Sequence, residues 1–551
     1  MRTKYSLSKF NEFVRIPFGD STIQGVTYKS ASGKKYYGFL GVPYAKPPLG
    51  DLRFRPPEPV ESYPAEIDAT KQKNCCLQKR IIKYPHETIF GSEDCLYMNI
   101  FIPELPNKDK PPKGIFFNIS GGGFLRTVGG IGYVIRPNVL IENDIIFINF
   151  SYRVHIFGFL NLGIKECPGN AALKDQLMAL KWVIKYIHNF GGDPNNITVH
   201  GTSAGAVCAH YFTMSPLSRG LFQKAIISSA HALVCWALIK DPEKHAFNFG
   251  RFVGYNGDDK KELLAHLKKM TADELLQAVW NTRKTMETIM LKYLGGSIFS
   301  PSLESYQEGA FLPESPLLMW KQVHSISILS GTCENEGSIL TRNKTTAEDF
   351  IVRSSITALM RSFLRENFGL EQDALNEMFE EIENFYFGDI DEMSEEVFPR
   401  FMKYGSDFLL KEWYTHFNFM RKGGIEKTYN YLFTYEGTFN LPKVFLTSRF
   451  PVSVKGTYHS DECEYVMEYG ETTAVMREQD KRMSQKICLL WANFVKTGNP
   501  NSEEVEVEWK NATIENPGYL QIDNELKYIP EELFEKRTKF WRYIMNKYAL
   551  F

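Results

Sequence analysis

Residues 199–211 read VHGTSAGAVCAHY and set Ser203 inside a G-x-S-x-G pentapeptide, Gly201 to Gly205. A β-rich run, NNITVHG, precedes it and an apolar helical run follows. A serine at so sharp a strand-to-helix turn is held in a strained backbone conformation that only small neighbours tolerate, and the turn lifts its hydroxyl above the sheet. The next amide, that of Ala204, then sits at a helix N-terminus, where it can donate to a developing negative charge. Taken in isolation the pentapeptide also fits a glycine-rich turn at an ordinary helix start. A second segment, NISGGGFL at 118–125, tips the balance: three glycines after a buried strand let backbone N–H groups approach a ligand closely, as an oxyanion loop requires. The chemistry these two turns can share is acyl transfer through serine.

The elements that must position them follow from local pattern. KGIFFNI (113–119) and DIIFINFSY (144–152) are short, apolar and rich in Ile and Phe, and predict buried strands. Residues 172–187 carry Leu173, Leu177, Leu180, Ile184 and Ile187 at three- and four-residue spacing, a helix with one buried stripe. SISILSG (325–331) is a further strand ending at a glycine. Strand–helix–strand alternation predicts an α/β fold with a large, mostly parallel central sheet flanked by helices. Between about 345 and 425 the pattern becomes helical and charged, which predicts an inserted helical or regulatory layer within a single domain spanning 1–551. No repeat or linker divides the chain.

Lys+Arg number 64 against 65 for Asp+Glu, so no global field favours nucleic acid or an acidic membrane. The longest nearly uncharged stretch, 225–239, falls short of the roughly 20 residues a membrane span needs. The first twenty residues hold no apolar core of signal-peptide length; a native start at Met1 predicts an intracellular, cytoplasmic protein, and a trimmed start a secreted one. Nine cysteines are too few for a disulfide scaffold, yet Cys75 or Cys76 is close enough to Cys95 to close a small loop in an oxidising compartment. Of five N-x-S/T sequons, those at Asn118, Asn149 and Asn196 lie in or beside apolar strand-like runs, which argues against most of them as acceptors; the others are at Asn343 and Asn511.

FGGDPNNITVHGTSAG (190–205) and SEDCLYMNIF (92–101) resemble the two signature segments of the type-B carboxylesterase and cholinesterase family. YYGFLGVPYAKPPLGDLRFRPPEPV (36–60), GNAALKDQLMALKWV (169–183) and LWANFVKTGNP (490–500) are similar to other family segments, so the resemblance runs from about residue 20 to the C-terminus. Within the family the chain most resembles insect α-esterase-type carboxylesterases. The resemblance implies the α/β-hydrolase fold and a catalytic Ser, Glu and His in that chain order. Ser203 matches by its motif. In GTCENEGSI (331–339) Glu336 matches the family acid, with Glu334 its rival on composition. In KGTYHSDECEY (455–465) His459 matches the family base, with Asp461 a structural neighbour. Gly122, Gly123 and Ala204 match the oxyanion-hole donors. His200, one step before the turn, reads as a strand-end packing residue.

Two positions depart from the family. Its carboxylesterases usually carry His-Gly-Gly-Gly where this chain has Ser120-Gly121-Gly122-Gly123. The donors are backbone amides, so losing the imidazole removes none of them but loosens the loop. Thr202 stands where cholinesterases and many carboxylesterases carry Glu, which weighs against a cationic choline ester; the Gln usual in juvenile-hormone esterases is also absent.

The expected function is therefore a serine hydrolase that cleaves small-molecule, xenobiotic or lipid-type carboxylic esters through an acyl-serine intermediate. It is expected to be sensitive to organophosphates and to need no metal or cofactor. The competing readings are a slow esterase that sequesters xenobiotic esters, and a non-catalytic relative used for adhesion. Oligomeric state, chain-length preference and pocket residues are not legible in the sequence.

Overall fold

The computed structural model describes residues 12–79, 89–127, 135–285, 298–319, 323, 325–340, 346–388, 397–408, 425–440, 455–468 and 477–550. Its frame is a 13-stranded sheet. The strands that open the chain are β1 (Phe13–Phe18), β2 (Ser21–Lys29), β3 (Lys35–Pro43) and the short β4 (Glu66–Asp68). The pair β5 (Gln78–Lys79) and β6 (Ile89–Phe90) stands apart from the sheet. The sheet continues with β7 (Tyr97–Ile102), β8 (Lys113–Ile119), β9 (Ile146–Phe150), β10 (Gly192–Thr202) and β11 (Lys224–Ser228). It closes with β12 (Ser327–Cys333), β13 (Lys427–Phe433), β14 (Tyr519–Ile522) and β15 (Leu526–Ile529). Strand order is β1-β2-β3-β7-β9-β8-β10-β11-β12-β13-β14-β15, with β4 beside β2. Every neighbouring pair from β9 to β14 is parallel, and antiparallel strands flank that run on both sides.

Side chains alternate between the two faces of these strands, which builds two cores. Ile115, Phe117, Ile119, Ile146, Ile148, Ala225 and Ile227 bury into one. Phe116, Phe147 and Ile226 bury into the other, together with Trp491 and its neighbours on the helix Glu478–Thr497. The first core is covered by α1 (His155–Phe159), α2 (Ala171–Tyr186) and α3 (Ala204–Met214). Both sheet faces are covered, which explains why the central strands are near-continuous apolar runs.

The α2 helix is buried more widely than a one-stripe pattern predicts, because Lys174, Asp175 and Gln176 are buried with its leucines. Their charges are matched: Arg153 chelates Asp175 through Nε at 2.8 Å and Nη2 at 2.6 Å, and Lys174 pairs with the buried Glu304. A periodicity count reads such residues as solvent-facing; buried ion pairs evade it.

In the stretch 345–425, the helices Thr346–Phe368 and Gln372–Tyr386 pack through Ile356, Met360, Leu375 and Phe379. Residues 345, 389–396 and 409–424 of that stretch lie outside the described residues. Cys76 is bridged to Cys95, and Cys75 is buried outside the bridge. Of the sequons, Asn118 and Asn149 are buried, Asn196 is half-buried, Asn511 is exposed and Asn343 lies outside the described residues. No helix among the described residues is long and apolar enough to cross a membrane.

Candidate active site

The strands β8, β10, β11, β12 and β13 are parallel neighbours in that order, so the segments leaving their C-terminal ends converge on one side of the sheet. In open α/β sheets that side is where ligands bind. The glycine loop leaves β8, Ser203 leaves β10, Ser229 leaves β11 and Glu336 follows β12.

Ser203 has φ 57° and ψ −128°, a conformation that is costly for any residue with a side chain. The turn is held at both ends: Ser203 N donates to Ser228 O at 3.0 Å, and Val207 N donates to Ser203 O at 3.1 Å. The two flanking glycines are required by space. A Cβ on Gly201 would overlap Gly205 O, and one on Gly205 would overlap Ile119 O, so the first turn of α3 packs directly on the end of β8. The loop that follows β8 lies against the serine, since a Cβ on Gly121 would stand 3.1 Å from Ser203 Cβ. Gly122 (φ 137°) and Gly123 (φ 64°) take backbone conformations open to glycine. Ala204, fully buried, opens α3.

Glu336 is fully buried. One carboxylate oxygen accepts from Thr332 Oγ1 at 2.7 Å and Cys333 N at 2.8 Å; the other lies against His459 Nδ1. The loops carrying the pair are joined by backbone, Asn335 N donating to Thr457 O at 2.9 Å, and His459 N donates to Ser338 Oγ at 3.2 Å. Glu334, the rival carboxylate, accepts instead from Thr457 N at 3.2 Å. His459 Nε2 is buried and has no hydrogen-bond partner among the described residues, Ser203 Oγ included. Asp461 accepts from Tyr458 N at 2.7 Å and from Asn440 Nδ2 at 2.9 Å, shaping the histidine turn.

A family model described as the carboxylesterase family matches residues 11–541. The chain belongs to the carboxylesterase family. It is 28% identical to Esterase FE4 of Myzus persicae over 528 residues, covering 94% of this chain and 89% of that protein. It is 30% identical to the juvenile hormone esterase of Tribolium castaneum over 519 residues, covering 91% of this chain and 86% of that one. Among solved structures, juvenile hormone esterase from Manduca sexta superposes with a TM-score of 0.80 at 24% identity, covering 97% of this chain and 100% of that one, which shows the α/β-hydrolase fold. The activity of this carboxylesterase is carboxylic ester hydrolysis.

Several groups around this carboxylesterase's site escaped motif reading. Thr332 and Ser338 flank the Glu336 loop and orient the pair. Glu462 is buried, accepting from Cys333 Sγ at 3.1 Å, Tyr431 OH at 3.1 Å and Ser229 Oγ at 3.4 Å. Burial, and then the charge on Glu336, push its pKa up toward the neutral acid. Cys463 Sγ lies 3.2 Å from Thr202 Oγ1 and ties the histidine turn to the serine turn. Their signal in the sequence was only proximity to His459 and Glu336. His200 is a buried strand-end residue whose Nδ1 meets Asn118 Oδ1 at 2.7 Å, and burial pulls its pKa down to about 3.

Ser120 is buried and its carbonyl accepts from Tyr152 OH at 2.5 Å. Phe124 O accepts from His155 N at 2.7 Å, and Thr127 N donates to Gln78 Oε1 at 3.2 Å. The glycine loop is thus fastened along its length without an imidazole at position 120.

Proposed function

We propose that Ser203 is the nucleophile of this esterase, His459 its general base and Glu336 the group that orients the imidazole. The observation that carries the reading is the state of the His459 ring: Nδ1 is committed to a buried carboxylate while Nε2, buried, has no partner among the described residues. A serine hydroxyl is a weak nucleophile at neutral pH and needs such a base within reach. In the free enzyme catalytic hydrogen bonds are often long, and rotation of the Ser203 side chain toward Nε2 accompanies substrate binding.

In the first half-reaction Ser203 Oγ attacks the ester carbonyl as Nε2 takes its proton. The amides of Gly122, Gly123 and Ala204 stabilise the tetrahedral oxyanion. Collapse expels the alcohol, which takes the proton back from Nε2, and leaves acyl-Ser203. In the second, water gives its proton to Nε2 and attacks the acyl carbon. The acid departs, and Ser203 recovers its proton. Glu336 holds the tautomer and stabilises the imidazolium throughout.

We assign small-molecule esters as substrates and organophosphates as inhibitors, and read 345–425 as a helical layer inserted in one domain. Gly337 N donates to Ser406 Oγ at 2.9 Å, which supports contact between that layer and the Glu336 loop. The Cys76–Cys95 bridge supports residence in an oxidising compartment.

The test is covalent labelling. An organophosphate should abolish turnover and add one phosphoryl group to the peptide holding Ser203; an adduct elsewhere overturns the assignment. The competing reading is a slow esterase that sequesters its ester. Pre-steady-state kinetics separate the two, a burst that stalls marking sequestration and sustained turnover marking a hydrolase.

A further inference from the structure

Arg126 stands three residues after Gly123, and its side chain folds back over Gly122: a Cβ built on Gly122 would lie 2.8 Å from Arg126 Cγ. Gly121, one step earlier on the same turn, lies against Ser203. A guanidinium is therefore carried on the glycine loop itself, within one side-chain length of the amides assigned to the oxyanion.

That guanidinium has no ion pair, hydrogen bond or ring contact among the described residues. Several other arginines with little exposure are matched: the buried Arg153 with Asp175, and the half-buried Arg53 with Glu93, Arg353 with Glu383 and Arg537 with Asp407. Arg126 is half-buried, and burial lowers its pKa from the usual guanidinium value with no carboxylate opposing the shift. It stays protonated all the same. Its nitrogens are not sealed from solvent, so the charge is partly hydrated and open to an incoming anion. The acidic groups described at the site have other roles: Glu336 is committed to His459, and Glu462 is held toward the neutral acid. Thr202, beside the serine, adds no charge.

We propose that Arg126 is a specificity residue and that the preferred substrates are esters bearing a carboxylate close to the scissile carbonyl, the carboxylate supplying the counter-charge the fold withholds. This deepens the serine-esterase reading and rests on it. A planar fork of donors suits a carboxylate. Without such a substrate the guanidinium is an unpaired charge on the glycine loop; with it the pair forms in a partly desolvated setting, where attraction exceeds that in bulk water.

The experiment compares two matched ester pairs. On the acyl side these are p-nitrophenyl butyrate and mono-p-nitrophenyl glutarate; on the alcohol side, phenyl acetate and 4-carboxyphenyl acetate. The readout is the ratio of kcat/KM, anionic to neutral, which general damage to the fold does not move. In one of the two arms Arg126→Met is expected to lower the ratio about 30-fold, an electrostatic change of ordinary size. In that arm Arg126→Lys should keep most of it and Arg126→Glu should turn preference toward acetylcholine. Ratios unmoved in both arms overturn the proposal, as does Lys behaving like Met. If the wild type hydrolyses none of the four esters and Ser203 takes no organophosphate, the serine-esterase reading is the one that fails. Calorimetric binding of glutarate then decides for Arg126: at least tenfold weaker binding in Arg126→Met supports the charge-pair site, and equal binding overturns it.

Discussion

The Glu336 carboxylate lies on Nδ1 of His459 across a sequence separation of 123 residues, while Glu334, two positions away, turns to Thr457 N. This pairing gives the first prediction. Glu336→Gln keeps the shape but can present an N–H to the imidazole and favour the wrong tautomer, so kcat should fall by about 10³–10⁴. Glu334→Gln should stay within about threefold of wild type, because it touches backbone and not the imidazole. Steady-state kinetics on one ester decide the matter; equal losses in the two variants would refute the assignment.

The glycine loop gives the second. Gly122 has φ 137° and its missing Cβ space is filled by Arg126, so Gly122→Ala must shift the loop. Displacing one oxyanion donor typically costs about 10²–10³ in kcat. Tyr152→Phe removes the hydrogen bond to Ser120 O without touching any donor, and a smaller loss of about tenfold is expected from the loosened loop. Unchanged kcat in Gly122→Ala would remove Gly122 from the oxyanion hole.

Acid stability is the third. Burial pulls the pKa of His155 down to about 4 and those of His200 and His210 to about 3. In the unfolded chain each titrates near 6.5, so below that pH the unfolded state binds protons that the native state refuses. Stability is therefore present above about pH 6.5 and is lost as pH falls toward 4, at roughly 1.4 kcal/mol per pH unit for each histidine. Thermal midpoints measured from pH 7 to pH 5 should drop, and His200→Gln should make the drop shallower. A midpoint that holds steady over this range contradicts the burial argument.

The fourth concerns Cys76–Cys95, which closes a loop of 19 residues in sequence separation. A loop of that length confines the unfolded chain by about 3 kcal/mol. Leu77 O accepts from His155 Nε2 at 2.8 Å, so the bridged loop also fastens the residue that holds Phe124. Cys95→Ser should lower the unfolding midpoint and lower kcat by a few fold. Loss of stability with kcat intact would show that the two loops are uncoupled.

The sequence by itself determined what is local. The G-x-S-x-G turn, the triple glycine and the buried strands beneath them were legible, because side-chain periodicity and left-handed backbone need only a few neighbouring residues. Carboxylesterase membership was legible too, since its motifs are long. Pairing across the chain was left to the tertiary structure. Glu336 was indicated over Glu334 by the family resemblance, and composition alone did not separate them, but which of Cys75 and Cys76 meets Cys95 and which charges of α2 are buried depend on how separate segments dock. The same holds for Arg126, an ordinary basic residue in the sequence that becomes an unmatched cation over Gly122 once the loop is folded. Local pattern carries no information about a partner outside its own few neighbours, and for a charge the partner, present or absent, decides the chemistry.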